Sequence, residues 1–268
     1  LNAVLLHKPG AEVENMTPKM AQRALYSDIL NLSIAQEEYK QLSGVLSKIA
    51  NVYTVTDLLV KVLENPVERE ELVKKICVTE NVMEYYETLM EMSSVRLAKA
   101  LIEGLPARIN TLTSFLNEDY YALFPLYNFY FTRDAAVTIG NHALICKMAN
   151  KVRMRESLIM QAIYKGSGEF ACGIIDAYDH SPLNPNLFME GGDILIARED
   201  VLLIGNGIRT SSQSIDFLAS RLSAIAPQGR RHIIVQQLPH TPESFIHLDM
   251  VFTMLDRNKC MVFEPLIL

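Results

Sequence analysis

Three aspartates, Asp134, Asp193 and Asp249, recur at intervals of 59 and 56 residues, each beside an apolar run that reads as β-structure. Each interval repeats one order of local patterns. In the first, Ala136 to Ile139 and Ala143 to Cys146 flank Gly140-Asn141, a two-residue hairpin turn; Lys151 to Tyr164 has helical spacing, and Gly173 to Ala177 reads as a strand. In the second, Ile194 to Ala197 and Val201 to Ile204 flank another turn, followed by a helix from Ser211 to Ala226 and a strand from Arg231 to Leu238. A third hairpin is expected from Ile246 through Asp256-Arg257-Asn258-Lys259 to Ile267. Repeats of this period, slightly above the solenoid range, point to modules set about an axis with like positions facing a common centre.

The start of the chain fits the same scheme. Ala3 to Leu6 is a short strand closed by His7-Lys8-Pro9-Gly10. Ser33 and Gln36 read as a capping box before a helix carrying Tyr39, Leu42, Val45, Leu46 and Ile49 on one face, and Val52 to Thr56 reads as a second strand. From Val67 to about Glu118 the β signals fade, and Glu, Lys, Leu and Met take over between Pro66 and Pro106. The expected division is a first α/β module at 1–66, a helical insertion at 67–122 and further modules at 123–268. The insertion's methionines read as core filler rather than as a cofactor box.

Composition narrows the partners. A hydrophobic share of 49% over 268 residues is enough for a large core. A net charge of −6 argues against nucleic acid, and no apolar run approaches the ~20 residues that a membrane helix needs. Cys77, Cys146, Cys172 and Cys260 are widely spaced, which argues for a reducing cytoplasm over a disulfide framework or zinc knuckle. No leader pattern opens the chain. The start at Leu1 and the end at Leu266-Ile267-Leu268 lead us to expect a fragment of a longer chain.

The chemistry is concentrated beside the recurring aspartates: Arg133-Asp134 ends an aromatic run, Glu190-Gly191-Gly192-Asp193 opens an apolar strand, and His247-Leu248-Asp249 sits inside another. Acidic groups from separate modules meeting at one hollow suit a planar cation, above all a guanidinium, whose fork of N–H donors matches a carboxylate with two parallel hydrogen bonds. Asp134 and Asp249 are the candidates for that clamp, although Asp134 reads equally well as the partner of Arg133. On a strand, His247 and Asp249 would share a face, and a histidine there can move protons near neutral pH. Glu190 is placed to orient it, and the two glycines allow close backbone approach. No second histidine or cysteine stands at ligand spacing, so no metal and no other cofactor is expected. The remaining histidines, His7, His142, His180, His232 and His240, read as structural.

These residues together resemble the arginine deiminase family, within the guanidino-group-modifying superfamily. The resemblance runs through Val4-Leu5-Leu6-His7-Lys8-Pro9-Gly10, Asn128-Phe129-Tyr130-Phe131-Thr132-Arg133-Asp134, Lys151-Val152-Arg153, Glu190-Gly191-Gly192-Asp193, Arg209-Thr210 and His247-Leu248-Asp249. It implies a five-fold pseudosymmetric α/β-propeller (pentein) fold of ββαβ-type modules, incomplete here, with an inserted helical subdomain. It implies that Asp134 and Asp249 hold the guanidinium and that Glu190 and His247 form the acid–base pair. Asn128, Phe131, Arg153 and Arg209 would bind the amino-acid end, the arginines facing its carboxylate. Taken as a solvated helix charge, Arg153 has no such role.

In that family a cysteine thiolate attacks the guanidinium carbon, ammonia leaves, and water releases citrulline from the covalent thiouronium intermediate. The family's nucleophile lies on a glycine-rich loop expected beyond Leu268, and none of the four cysteines here fits it, so residues 1–268 alone are expected to be inactive. Gly205-Asn206-Gly207-Ile208, before Arg209, also departs from the more polar, acidic lead-in common in the family. The alternatives are an amidinotransferase of the same superfamily and a non-catalytic arginine-binding relative. The expected partner is L-arginine, with no nucleic acid and no membrane, in a homo-oligomer.

Overall fold

A computed structural model of the chain describes residues 1–14, 16, 29–116, 120–180, 184–225, 231–241 and 245–267. It is an α/β protein in two compact units, residues 1–132 with 152–170 and residues 133–151 with 171–268. The far end expected for the second helix, Ala226, lies outside the described residues, as does Glu118.

In the first unit, strand Ala3–Leu6 pairs in parallel with Asn51–Thr54, the arrangement a strand-helix-strand start requires. The second strand ends before its expected limit. Thr54 caps the next helix, Val55–Leu63, accepting the Asp57 N–H at 3.1 Å and donating to Asp57 Oδ2 at 2.6 Å, so Val55 and Thr56 turn helical despite their β-branching. The capping box on Ser33 and Gln36 is also corrected. Asn31 is the cap of helix Leu32–Leu46, its Oδ1 accepting from the Ser33 and Ile34 N–H groups, and Gln36 donates instead to Pro9 O. No residue of that helix is fully buried, so its apolar face is only partly covered within the unit.

Helices Pro66–Glu80, Tyr86–Met90 and Ser94–Glu103 follow, with the apolar core built from Leu59, Val62, Ile76, Leu89, Leu97 and Leu101. Helix Met154–Gly166 packs on Val55–Leu63 and Pro66–Glu80. It is buried continuously from Arg155 to Ile163, charged residues included. Buried charge requires a partner. Arg155 Nε lies 3.1 Å from Glu80 Oε1, and Lys75 Nζ donates to Gln161 Oε1 at 2.9 Å. His7 is structural, and its Nε2 lies 3.0 Å from Glu12 Oε1 in a buried pair.

The second unit carries the recurring module. Ala136–Ile139 runs antiparallel to His142–Ile145, which runs parallel to Gly173–Asp176. Ile194–Arg198 runs antiparallel to Val201–Asn206, which runs parallel to His232–Gln237. Gly140 adopts φ 59°, the left-handed conformation its two-residue turn demands. Phe252–Asp256 and Lys259–Val262 form the third hairpin. That hairpin is shorter at both ends than expected: Leu248–Met250 is a 3-10 turn before it, and Glu264–Ile267 is helical. The sheets among the described residues have two or three strands each. No described helix is long and apolar enough to cross a membrane.

Candidate active site

The module explains why the aspartates recur. Asp134 closes the one-turn helix Thr132–Ala135 just before strand Ala136–Ile139, and Asp193 closes the 3-10 turn Gly191–Asp193 just before Ile194–Arg198. Asp249 lies in the turn Leu248–Met250 ahead of Phe252–Asp256. Each aspartate therefore stands at the entry to the first strand of a hairpin. The His247 to Asp249 stretch is thus a turn rather than the expected strand, with His247 as its extended N-terminal cap. The alternation argument for a shared face does not apply there.

The glycines between Glu190 and Asp193 are where the modules close on each other. A methyl group on Gly191 would stand 2.0 Å from the Arg133 carbonyl oxygen, and one on Gly192 would stand 2.8 Å from His247 Cγ and Nδ1 and 3.1 Å from Asp134 Oδ1. Arg133 in turn donates from Nη2 to Ile194 O at 2.5 Å. The close backbone approach expected of these glycines is made here against protein. Gly191→Ala meets backbone, which cannot swing aside, whereas Gly192→Ala meets the His247 and Asp134 side chains. We expect both to cost about 1–3 kcal/mol or more, with Gly191→Ala the worse of the two, read from urea denaturation midpoints. Equal midpoints for wild type and Gly191→Ala would contradict this packing.

The approach brings Asp134, Glu190 and His247 together. His247 Nε2 lies 2.9 Å from Glu190 Oε2 and its Nδ1 lies 3.9 Å from Asp134 Oδ1. Glu190 has no exposed surface, and its Oε1 accepts the Ala149 N–H at 3.1 Å. The Glu190 N–H donates to Thr210 Oγ1 at 3.2 Å. Asp249 is half-buried, within electrostatic range of His247, Asp134 and Arg133. Four carboxylates, of Asp134, Glu190, Asp193 and Asp249, thus surround a single imidazole, an environment that attracts a cation.

The titration behaviour follows from that crowding. Burial by itself would lower the His247 pKa, but the Glu190 hydrogen bond and the charges of Asp134, Glu190 and Asp193 outweigh it, and the net shift is upward. Burial raises Asp193 to about 6, against the pull of His247, the Thr210 hydroxyl and the Leu248 N–H. Burial also raises Asp249, with His247 opposing and Asp134 adding to the rise. The Cys146 thiol is pushed well above its ordinary value, by burial first and then by Glu190 and Asp134, so it remains protonated and is a poor nucleophile. Cys77 is buried in the first unit, Cys172 is half-buried and Cys260 is exposed.

The residues expected to bind the amino-acid end are placed differently. Arg209 Nη1 stands 3.6 Å from Glu190 Oε1, so its carboxylate neighbour here is the glutamate of the expected acid–base pair. Asn128, Phe131 and Arg153 belong to the first unit. Arg153 is buried, its Nε and Nη2 on the Glu156 carboxylate at 2.8–3.2 Å and Nη2 also 3.4 Å from Asn128 O, which removes the solvated-charge reading. Asn128 is buried and Phe131 is half exposed, its ring 4.3 Å from that of Tyr130. Sequence reasoning missed Thr210 and Asp193 as partners of the site. The one signal for Asp193 was its place in the recurrence.

Two other readings of the region can be weighed on geometry. Asp134, Glu190 and His247 each offer a donor atom within 4.8 Å of the others, close enough to hold a small divalent cation. A metal there would have to displace the proton shared by His247 Nε2 and Glu190 Oε2 and would compete with an imidazole biased toward its charged form. A hollow of about 700 Å³ is lined by Leu203, Ile234, Gln236, Gln237, Leu238, Pro239, Leu248, Val251 and Phe252. It has no charged side chain and so offers a guanidinium no carboxylate to pair with.

Comparison with known proteins agrees with the residues. Residues 22–267 match the family model described as arginine deiminase. The chain is 31% identical over 274 residues to the arginine deiminases of Staphylococcus aureus strains JH9 and Newman, across 97% of its own length and 66% of theirs. It thus spans slightly less than two thirds of these relatives. Among solved structures, the substrate-bound N-terminal domain of ArgZ, a cyanobacterial arginine dihydrolase, superposes with a TM-score of 0.56 at 17% identity, covering 98% of this chain and 67% of that one. The citrulline complex of DDAH from Pseudomonas aeruginosa gives 0.54 at 13% identity, covering 98% and 69%. These likenesses show that the chain shares the α/β fold of those two structures. With the family model running across nearly the whole chain and the acidic cluster falling on its recurring modules, the chain belongs to the arginine deiminase family.

Proposed function

We propose that this protein hydrolyses the guanidino group of L-arginine, converting arginine and water to citrulline and ammonia. The observation that carries the reading is the meeting of Asp134, Glu190 and His247 from three successive modules, with the Glu190–His247 bond at 2.9 Å. Asp134 and Asp249 hold the guanidinium through paired charge-assisted hydrogen bonds. A cysteine thiolate, none of the four in residues 1–268, attacks the guanidinium carbon. His247, charged and held by Glu190, gives its proton to the departing nitrogen, which leaves as ammonia. The neutral imidazole then takes a proton from water as it attacks the thiouronium carbon, which releases citrulline and the thiolate. The resemblance gives the substrate carboxylate to Arg153 and Arg209 and the amino-acid end to Asn128 and Phe131; Arg153 is here paired with Glu156, and Arg209 faces Glu190. The modules form part of a five-fold α/β-propeller with 67–122 as its helical insertion, and the enzyme works as a cytoplasmic homo-oligomer.

The test is an assay of the full-length protein for ammonia and ureido products with arginine, agmatine and a methylated arginine. Arginine should be the substrate, and chelator should leave the rate unchanged. Turnover of agmatine but not arginine would remove the carboxylate role from Arg153 and Arg209. Loss of activity on chelation, restored by a divalent ion, would assign the three donors to a metal. Transfer of the amidino group to an added amine in preference to water would make the protein an amidinotransferase.

A further inference from the structure

Asp193 has no exposed surface, and the reaction proposed above gives it nothing to do. Its contacts lie on both halves of the acid–base pair. Its backbone N–H donates to Glu190 O at 3.1 Å, closing the turn that presents Glu190. Its Oδ1 accepts the Leu248 N–H at 2.9 Å, and Leu248 is the residue between His247 and Asp249. Leu248 is itself anchored among Leu195, Leu238 and Val251, so the bond fixes a turn already held by packing. The space around the carboxylate is limited: a methyl group on Gly205 would stand 2.5 Å from Asp193 Oδ1 and 2.9 Å from Leu238 Cδ1. The Thr210 hydroxyl and the Leu248 N–H both favour the carboxylate, while Asp193 Oδ2 makes no hydrogen bond among the described residues. An acid buried at that cost is a poor choice if stability alone is served, since an apolar residue would fill the space more cheaply.

We infer that Asp193 is a positioning residue of the acid–base pair, tying the Glu190 turn to the His247–Asp249 turn through the Leu248 N–H so that His247 Nε2 stays on Glu190. This rests on the proposed hydrolysis for its consequence in rate, but its geometric content stands apart from it. Three variants of the full-length protein separate the two. Asp193→Asn keeps an oxygen acceptor for the Leu248 N–H without the charge, Asp193→Ala removes the acceptor, and Gly205→Ala crowds the carboxylate off it. The readout is the low-field proton resonance of the His247–Glu190 hydrogen bond, alongside arginine turnover.

The resonance should persist in wild type and Asp193→Asn and disappear in Asp193→Ala and Gly205→Ala. kcat/KM should fall by about 10- to 100-fold in the latter two and by less than about fivefold in Asp193→Asn. Retention of the resonance in Asp193→Ala would overturn the inference. So would its loss in Asp193→Asn, which would make charge rather than the acceptor responsible. A wild-type protein that keeps the resonance but leaves arginine untouched would sink the hydrolysis reading, while the comparison of variants still decides the role of Asp193.

Discussion

Replacing His247 by alanine should lower kcat on arginine by about 10²- to 10⁴-fold, the usual range for a positioned acid–base group, while the protein remains folded. The size of the loss follows from how completely the imidazole is engaged. It is buried, bonded to Glu190 at 2.9 Å and 3.9 Å from Asp134, and these carboxylates favour its charged form. In the proposed reaction, charged imidazole is what the ammonia-releasing step consumes. The alkaline limb of the rate profile should therefore lie above the ordinary histidine value of about 6.5. Glu190→Gln removes a group that raises the His247 pKa, leaving burial, which lowers it, less opposed, so the limb should move to lower pH and kcat should fall. The same shift sets a stability trend. A histidine whose folded pKa is raised contributes stability that is fully present below its unfolded value and lost as pH rises through the folded one. Urea midpoints of wild type should decline across that window more than those of His247→Ala. Wild-type turnover in either variant would remove this pair from the reaction.

Asp134→Ala and Asp249→Ala should each weaken arginine binding by roughly 30- to 3,000-fold, the equivalent of about 2–5 kcal/mol for truncating one partner of a desolvated charge pair. Asp134 should sit toward the upper end, since it is the more buried of the two and faces His247 directly. Asp249 is half-buried, and burial raises its pKa, so its contribution should grow with pH as it ionises. The measurement is the arginine dissociation constant by calorimetry at two pH values. Equal affinities for wild type and both variants would place the guanidinium elsewhere.

How much of this was readable from the chain depended on whether the cause was local. The hairpins at Gly140-Asn141 and between Ile194 and Ile204 follow from two-residue periodicity and turn chemistry, and both were recognisable. The even spacing of Asp134, Asp193 and Asp249 was a sound guide because each occupies the same place in a module. The grouping of Asp134, Glu190 and His247 was likewise inferred from that recurrence, whereas the strand expected to put His247 and Asp249 on one face is a turn.

What escaped detection is what depends on partners distant in sequence. The contact of Arg153 with Asn128, the Glu190 N–H on Thr210 and the Asp193 bond to Leu248 leave no periodic trace, and the local spacing of Arg153 and Glu156 does not show that the pair is buried. Asn31 took the capping role from Ser33 because both residues, two apart, were competent caps, and propensity does not choose between them.

In the proposed reaction these carboxylates grip a flat cation, and citrulline differs from arginine there by the lost charge and by a carbonyl acceptor in place of one amino donor. Calorimetric titration of both into the His247→Ala full-length protein, whose turnover should be slowed about 10²- to 10⁴-fold, tests it most directly. Arginine should bind on the order of 100-fold more tightly than citrulline, with most of that preference lost when Asp134 is also replaced by asparagine. Equal binding of the two ligands, or a preference that survives the loss of Asp134, would contradict the account.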